Sequence, residues 1–121
     1  MVKLVYIAHK IAGNVNENVK DVLRICREVH NRDIVPIAPY LVAVQYLDDH
    51  LIEERELGIA TNREHFKRKV MDEVWLCGSE ISTGMKEEII LSLKYEIPIK
   101  CYNHNLQLQL DEFVAQYKSN Q

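Results

Sequence analysis

Apolar and polar residues alternate between two periods along this chain, and the switches mark its elements. Residues 2–8, VKLVYIA, are apolar at nearly every position after Lys3 and predict a strand. From about Val15 to His30, Val15, Val19, Val22, Leu23, Cys26 and Val29 recur at helical spacing and predict a helix with that buried face. DIVPIAPY predicts a second strand running into a loop stiffened by its prolines. LVAVQYLDD then predicts a short helix ending at Asp48 and Asp49. Residues 51–70 predict another helix, anchored by Leu51, Ile59, Phe66 and Val70 and weakened at Gly58. The run Val74–Cys77, closed by Gly78, suits a strand buried on both faces. A helix follows Ser82, and residues 97–102 predict a strand with Pro98 at its start, where a missing donor matters least. Residues 106–117 predict a closing amphipathic helix carrying Leu106, Leu108, Leu110, Phe113 and Val114, with frayed residues beyond it.

Strands alternating with helices imply right-handed crossovers and a parallel sheet. The expected architecture is an α/β, three-layer, flavodoxin-like (Rossmann-like) domain spanning residues 1–121, with about four to five strands and helices on both faces. Such a sheet holds its ligand site at the carboxyl ends of its strands, near the switch in strand order. The loops expected there are His9–Asn14, Ala38–Tyr40 and Gly78–Ser82.

One polar position breaks the pattern where chemistry is expected. On a wheel of about 3.6 residues per turn, Glu87 falls beside Lys94 on the polar side of its helix. Glu88 falls among Met85, Leu91, Ser92 and Tyr95, aimed at the sheet. Asn18 lies at the edge of the first helix's apolar arc, turned toward the loop after the first strand. Both a binding role and an ordinary helix-start residue fit it.

Composition narrows the field. The chain has 121 residues, 47% apolar and 27% charged, enough for one core. A formal charge of −3 disfavours binding to nucleic acid through its phosphates, and Lys67–Arg68–Lys69 reads as a solvated helix face. Cys26, Cys77 and Cys101 are scattered and odd in number, the pattern of reduced cysteines in a cytoplasmic protein. No stretch reaches the roughly 18 apolar residues that cross a bilayer, and the opening segment lacks a signal-peptide pattern. The five histidines show no metal-ligand spacing, so no metal or other cofactor is expected.

Taken together, YIAHKIAGN, PIAPY, YLDD, DEVWLCG and STGMKEEI resemble the nucleoside 2-deoxyribosyltransferase-like superfamily, and within it a small bacterial and phage branch of domains of unknown function. The resemblance covers nearly the whole chain up to about Pro98. It implies a homodimer or higher homo-oligomer that acts on a nucleoside or nucleotide and cleaves an N-glycosidic bond without a metal. In that family a glutamate near the start of the helix after the central strand attacks C1′ of the sugar, and a glycine stands four residues before it. Glu88 and Gly84 match. Ser82, six residues before Glu88, stands where monophosphate hydrolases of the family place a phosphate-binding serine, and it equally suits a plain N-cap. Tyr6 matches the aromatic position of the first strand, Gly13 and Asn14 the sugar-pocket loop, and Gly78 and Met85 border the same expected site.

Two positions depart from the family pattern. Lys86 stands where a second glycine usually admits the sugar, and Glu64, with Asn62 nearby, stands where an aspartate is usual. Asp48, Asp49 and Glu64 remain alternative acids for the leaving base, while Asp72 borders its strand. Two functions are therefore expected: an N-glycosidic-bond-cleaving enzyme of deoxyribosyltransferase or nucleoside 5′-monophosphate N-hydrolase type, or a nucleotide- or nucleotide-sugar-binding protein without turnover.

Overall fold

The computed structural model describes residues 1–121. Four parallel strands, β1 (Lys3–Ala8), β2 (Ile34–Ile37), β3 (Glu73–Leu76) and β4 (Ile99–Cys101), form one sheet in the order β2-β1-β3-β4. Five helices connect and close it: α1 (Val15–Val29), α2 (Tyr40–Tyr46), α3 (Ile52–Lys67), α4 (Thr83–Lys94) and α5 (Gln107–Ser119). This mixed α/β arrangement is consistent with the expected flavodoxin-like three-layer fold, with four strands.

The layers are unequal. Val5 and Ile7 of β1 meet Val22, Ile25 and Val29 of α1 on one face. On the other face Tyr6, Ala8, Val74 and Leu76 meet Phe66 of α3, Met85 and Ile89 of α4, and Leu106 and Leu110 at the start of α5. Strand alternation therefore divides β1 and β3 between two cores, as a sheet buried on both sides requires. Only α1 covers the first face, so Trp75 remains half-buried there, stacked on Tyr102 with ring centroids 6.1 Å apart. No helix is long and apolar enough to cross a membrane.

The start of β3 is fixed to β1. The Asp72 carboxylate accepts from the Leu4 N–H at 2.8 Å, and the Asp72 N–H donates to the Leu4 carbonyl at 2.8 Å, so Asp72 borders the strand as expected. Pro36 is accommodated because β2 lies at the sheet edge.

Several expected details change. The buried stripe of α1 is centred on Val22, Ile25 and Val29, while Leu23 is 51% exposed and Val15 is also exposed. Ile25 lies three residues from Val22, about one turn on, whereas Leu23 is rotated by roughly 100°. In α3, Phe66 is buried but Leu51 and Ile59 are exposed, because only the end of that helix packs on the sheet. Leu108 is also exposed, and α5 continues to Ser119. Asp48 and Asp49 lie beyond α2 in the turn leading to α3.

Candidate functional site

The order β2-β1-β3-β4 makes the chain leave β1 toward β2 and return past it to β3. Loops at the carboxyl ends of these strands therefore diverge and leave a crevice. A cleft of about 940 Å³ opens on the side of α2, α3 and α4, lined by Tyr40, Asn62, Ser82, Gly84, Lys86 and Glu88 among others.

Glu88 is 7% exposed and lies on the sheet-facing side of α4, as the helical wheel predicts. Its neighbour Glu87 is turned away and paired with Arg63 at 3.0 Å. The Tyr6 hydroxyl donates to Glu88 Oε2, and the Asn62 side-chain N–H reaches the same oxygen at 3.4 Å. Tyr6 also has the Asn62 Oδ1 acceptor at 2.8 Å. The phenol has one proton for two acceptors, so its hydroxyl rotor follows the charge of Glu88. Oε1 of Glu88 has no protein partner and is not sealed from solvent. One oxygen is held and the other is available to the cleft.

Burial pushes the Glu88 carboxyl up to about 7, and the nearby Glu87 charge adds to that rise. Hydrogen bonds from Tyr6 and Asn62 pull the other way but do not overcome desolvation. Tyr6 itself is driven well above the ordinary phenol range, by burial first and then by the Glu88 charge. Its ring is wedged between Tyr40 and Phe66, at centroid distances of 5.7 and 5.0 Å. The Tyr40 hydroxyl donates to the Ile7 carbonyl, tying the start of α2 to β1. A positioned tyrosine, an amide and a carboxyl thus meet without any cation beside the carboxyl.

The α4 start forms one wall. Ser82 is its N-cap, with Oγ accepting from the Met85 N–H at 3.2 Å, and Met85 is buried. A side chain at Gly84 would meet only Ser82 Oγ at 4.0 Å, so the missing side chain leaves open space at the wall. Lys86 lines the cleft, and its ammonium sits over the Phe113 ring of α5 at 5.9 Å.

The expected acids separate. Asp49 lines the cleft and has no side-chain hydrogen bond or ion pair. Asp48 is exposed outside the cleft lining, its Oδ1 accepting from the His50 N–H at 2.9 Å. Glu64 is exposed and paired with Arg68 at 2.9 Å; that guanidinium holds its carboxyl below the usual range, and Glu64 is not part of the cleft wall.

The loop residues fall on the α1 side. Asn14 caps α1, its Oδ1 accepting from the Glu17 N–H at 3.4 Å. Asn18 donates to the Ile11 carbonyl at 2.9 Å. Gly13 has φ +100° and Gly78 φ +102°, a region that disfavours other residues. At Gly78 a side chain would also meet His9 Nε2 at 3.2 Å. Asn18 and Gly78 line a second, polar cavity and not the Glu88 cleft; Gly13 and Asn14 line neither.

Sequence reasoning missed His9 and left Tyr40 and Asn62 without roles. His9 is 9% exposed, with Nε2 at 2.6 Å from Asp21 and Nδ1 at 2.6 Å from the Lys10 carbonyl. Its position directly after an apolar strand was the available signal; the partner twelve residues on, Asp21, is brought back to it by α1. The comparison with curated proteins gives no match. Residues 3–102 match the model of a family described as a domain of unknown function, DUF7768, and the chain belongs to that family.

Proposed function

We propose that this protein cleaves the N-glycosidic bond of a deoxynucleoside or its 5′-monophosphate, with Glu88 as the nucleophile. The observation that carries the proposal is the buried Glu88 carboxyl, raised to about 7, with one oxygen held by Tyr6 and Asn62 and the other free at a cleft of about 940 Å³. The resemblance of the surrounding motifs to the nucleoside 2-deoxyribosyltransferase-like superfamily supplies the substrate class.

In this reading Glu88 Oε1 forms a bond to C1′ as the bond from C1′ to the base nitrogen breaks, and that electron pair leaves with the base. The departing base takes its proton from solvent water at the open side of the cleft, where Asp49 of the expected acids stands. Water, or a second base in a transfer reaction, then bonds to C1′ as the bond from C1′ to Glu88 breaks, loses its proton to solvent at the same side of the cleft, and restores the free carboxylate. A carboxylate in a dry setting stabilises the positive charge that develops on the sugar more strongly than one in water. Because only ionised Glu88 attacks, base release should rise with pH through about 7. Ser82 and the free amides at the start of α4 suit an anionic group on the sugar.

A second reading has its own observation. Lys86 lines the wall where the resembling enzymes carry glycine, which favours a nucleotide-binding protein without turnover. Incubation with deoxynucleosides and their monophosphates separates the two by chromatography for free base. Release that disappears in Glu88→Ala supports cleavage; thermal stabilisation by a nucleotide with no release supports binding alone. Three free cysteines fit a reducing cytoplasm, and the exposed Val42, Tyr46, Ile52 and Leu57 on α2 and α3 fit a homo-oligomer.

A further inference from the structure

A second cavity, of about 690 Å³, lies on the α1 side of the same strand ends. Its walls are one flank of α1, the loop after β3 and the loop after β4, and no hydrophobic side chain lines it. We propose that this crevice is a binding site for a neutral, hydroxyl-rich ligand such as a sugar, separate from the chemistry at Glu88.

The first argument is charge. Every cation in the wall already faces an acid. Lys10 pairs with Glu80 at 2.6 Å, Arg24 with Asp21 at 2.7 Å, and Lys20 with Glu17 at 3.6 Å. The His9 ring also meets Asp21 at 2.6 Å. A charged ligand therefore meets a wall whose charges are already balanced, whereas a neutral one gains from its uncharged polar groups.

The second argument is hydrogen-bonding capacity. Each of three carboxamides is anchored by one end. Asn103 Oδ1 accepts from the Gly78 N–H at 2.8 Å, which leaves its NH₂ free to donate. Asn18 and Asn105 donate to the backbone carbonyls of Ile11 at 2.9 Å and Ser79 at 3.4 Å, which leaves both Oδ1 atoms free to accept. The Ser79 hydroxyl, which can do both, has no protein partner. A wall that offers both donors and acceptors, without an apolar surface, matches hydroxyls better than it matches a base or a lipid. The volume lies within the roughly 300–1,000 Å³ of ordinary ligand sites, but the wall lacks their apolar lining.

The third argument is rigidity. His9, almost fully buried, lies 2.6 Å from two acceptors, the Lys10 carbonyl and the Asp21 carboxylate, and packs against Gly78, where a side chain would lie 3.2 Å from Nε2. The floor is therefore set before any ligand arrives. His9, Lys10 and Glu80 also line the Glu88 cleft, so the two cavities share a wall.

The test is a ¹H–¹⁵N titration of the intact chain with D-ribose and, in a separate arm, inorganic phosphate. The proposal expects saturable shifts with ribose in the millimolar range at Gly78, Ser79 and the Asn103 and Asn105 side-chain amides. Asn105→Ala and Ser79→Ala, both at exposed positions, should each weaken binding at least threefold while leaving the remaining spectrum in place. No saturable shift with ribose would overturn it. So would shifts confined to Ser82–Lys86, affinity unchanged from the parent in both variants, or saturation by phosphate alone. None of these outcomes depends on whether Glu88 cleaves a substrate.

Discussion

Glu73 and Glu88 are both more than nine-tenths buried, yet their surroundings drive them in opposite directions. Glu73, at the start of β3, takes hydrogen bonds from Lys3 at 2.7 Å, from the Trp75 indole at 2.9 Å and from Lys100 at 3.3 Å. The Lys3 hydrogen bond leads, and together these partners hold its carboxyl down at about 2 despite burial. Glu88 has only neutral partners, so desolvation prevails and its carboxyl rises to about 7. The charge of one is compensated by the lysines of the flanking strands and ties three strands together. The other has no compensating cation and stands at the ligand end of the sheet. Whether a cation reaches a buried glutamate thus decides whether its carboxyl is held ionised or keeps its proton to near neutrality.

The largest effect expected from breaking this contrast is on activity. Glu88→Gln keeps the shape but removes the proposed nucleophile, and base release should fall on the order of 10³-fold or more. An assay for free base from deoxynucleoside monophosphates checks it; retained release would assign the chemistry elsewhere.

The same substitution should strengthen the fold at alkaline pH. A folded-state value of about 7, against the ordinary 4.5, means the native protein holds the Glu88 proton more tightly than the unfolded chain does. That contribution is complete below pH 4.5 and is lost as pH rises through 7, a difference on the order of 3 kcal/mol. Glu88→Gln should therefore be more stable than the parent by about 1–3 kcal/mol at pH 8. The gap should close near pH 4.5, as urea unfolding at the two pH values would show.

Glu73→Gln should do the reverse. Its depressed value gives stability that is present above pH 4.5 and lost as pH falls toward 2. Because Lys3 and Lys100 are half-exposed, solvent screening reduces the expected loss at pH 7 to about 1–2 kcal/mol. The same urea measurements should show that deficit shrinking toward pH 3.

Tyr6→Phe is the finest adjustment. It removes a hydrogen bond that favours the ionised Glu88, so the pH–rate profile for base release should move upward. An unmoved profile would mean that Tyr6 does not set the ionisation of Glu88.

Much of this contrast was legible before any coordinates, but unevenly. Glu88 was readable because helical periodicity alone turns it inward while turning Glu87 out. Ser82 was readable as a cap because of its place before an apolar run. Glu73 was not readable. Its protection comes from Lys3 and Lys100, brought beside it by parallel strands whose order and register no local pattern encodes. Asn62 reaches Glu88 for a similar reason, since α3 must cross to α4, and the scattered apolar positions of α3 gave a misleading face through Leu51 and Ile59. The acids Asp48, Asp49 and Glu64 looked alike in the chain; the turn before α3 and the Arg68 partner distinguish them.

The most direct test is a ¹³C NMR titration of the side-chain carboxyls in the intact protein. Glu88 should titrate near 7, while Glu73 should remain ionised down to about 2. A Glu88 resonance titrating at the ordinary value near 4.5 would contradict the account, because the carboxyl would then be neither desolvated nor poised for chemistry.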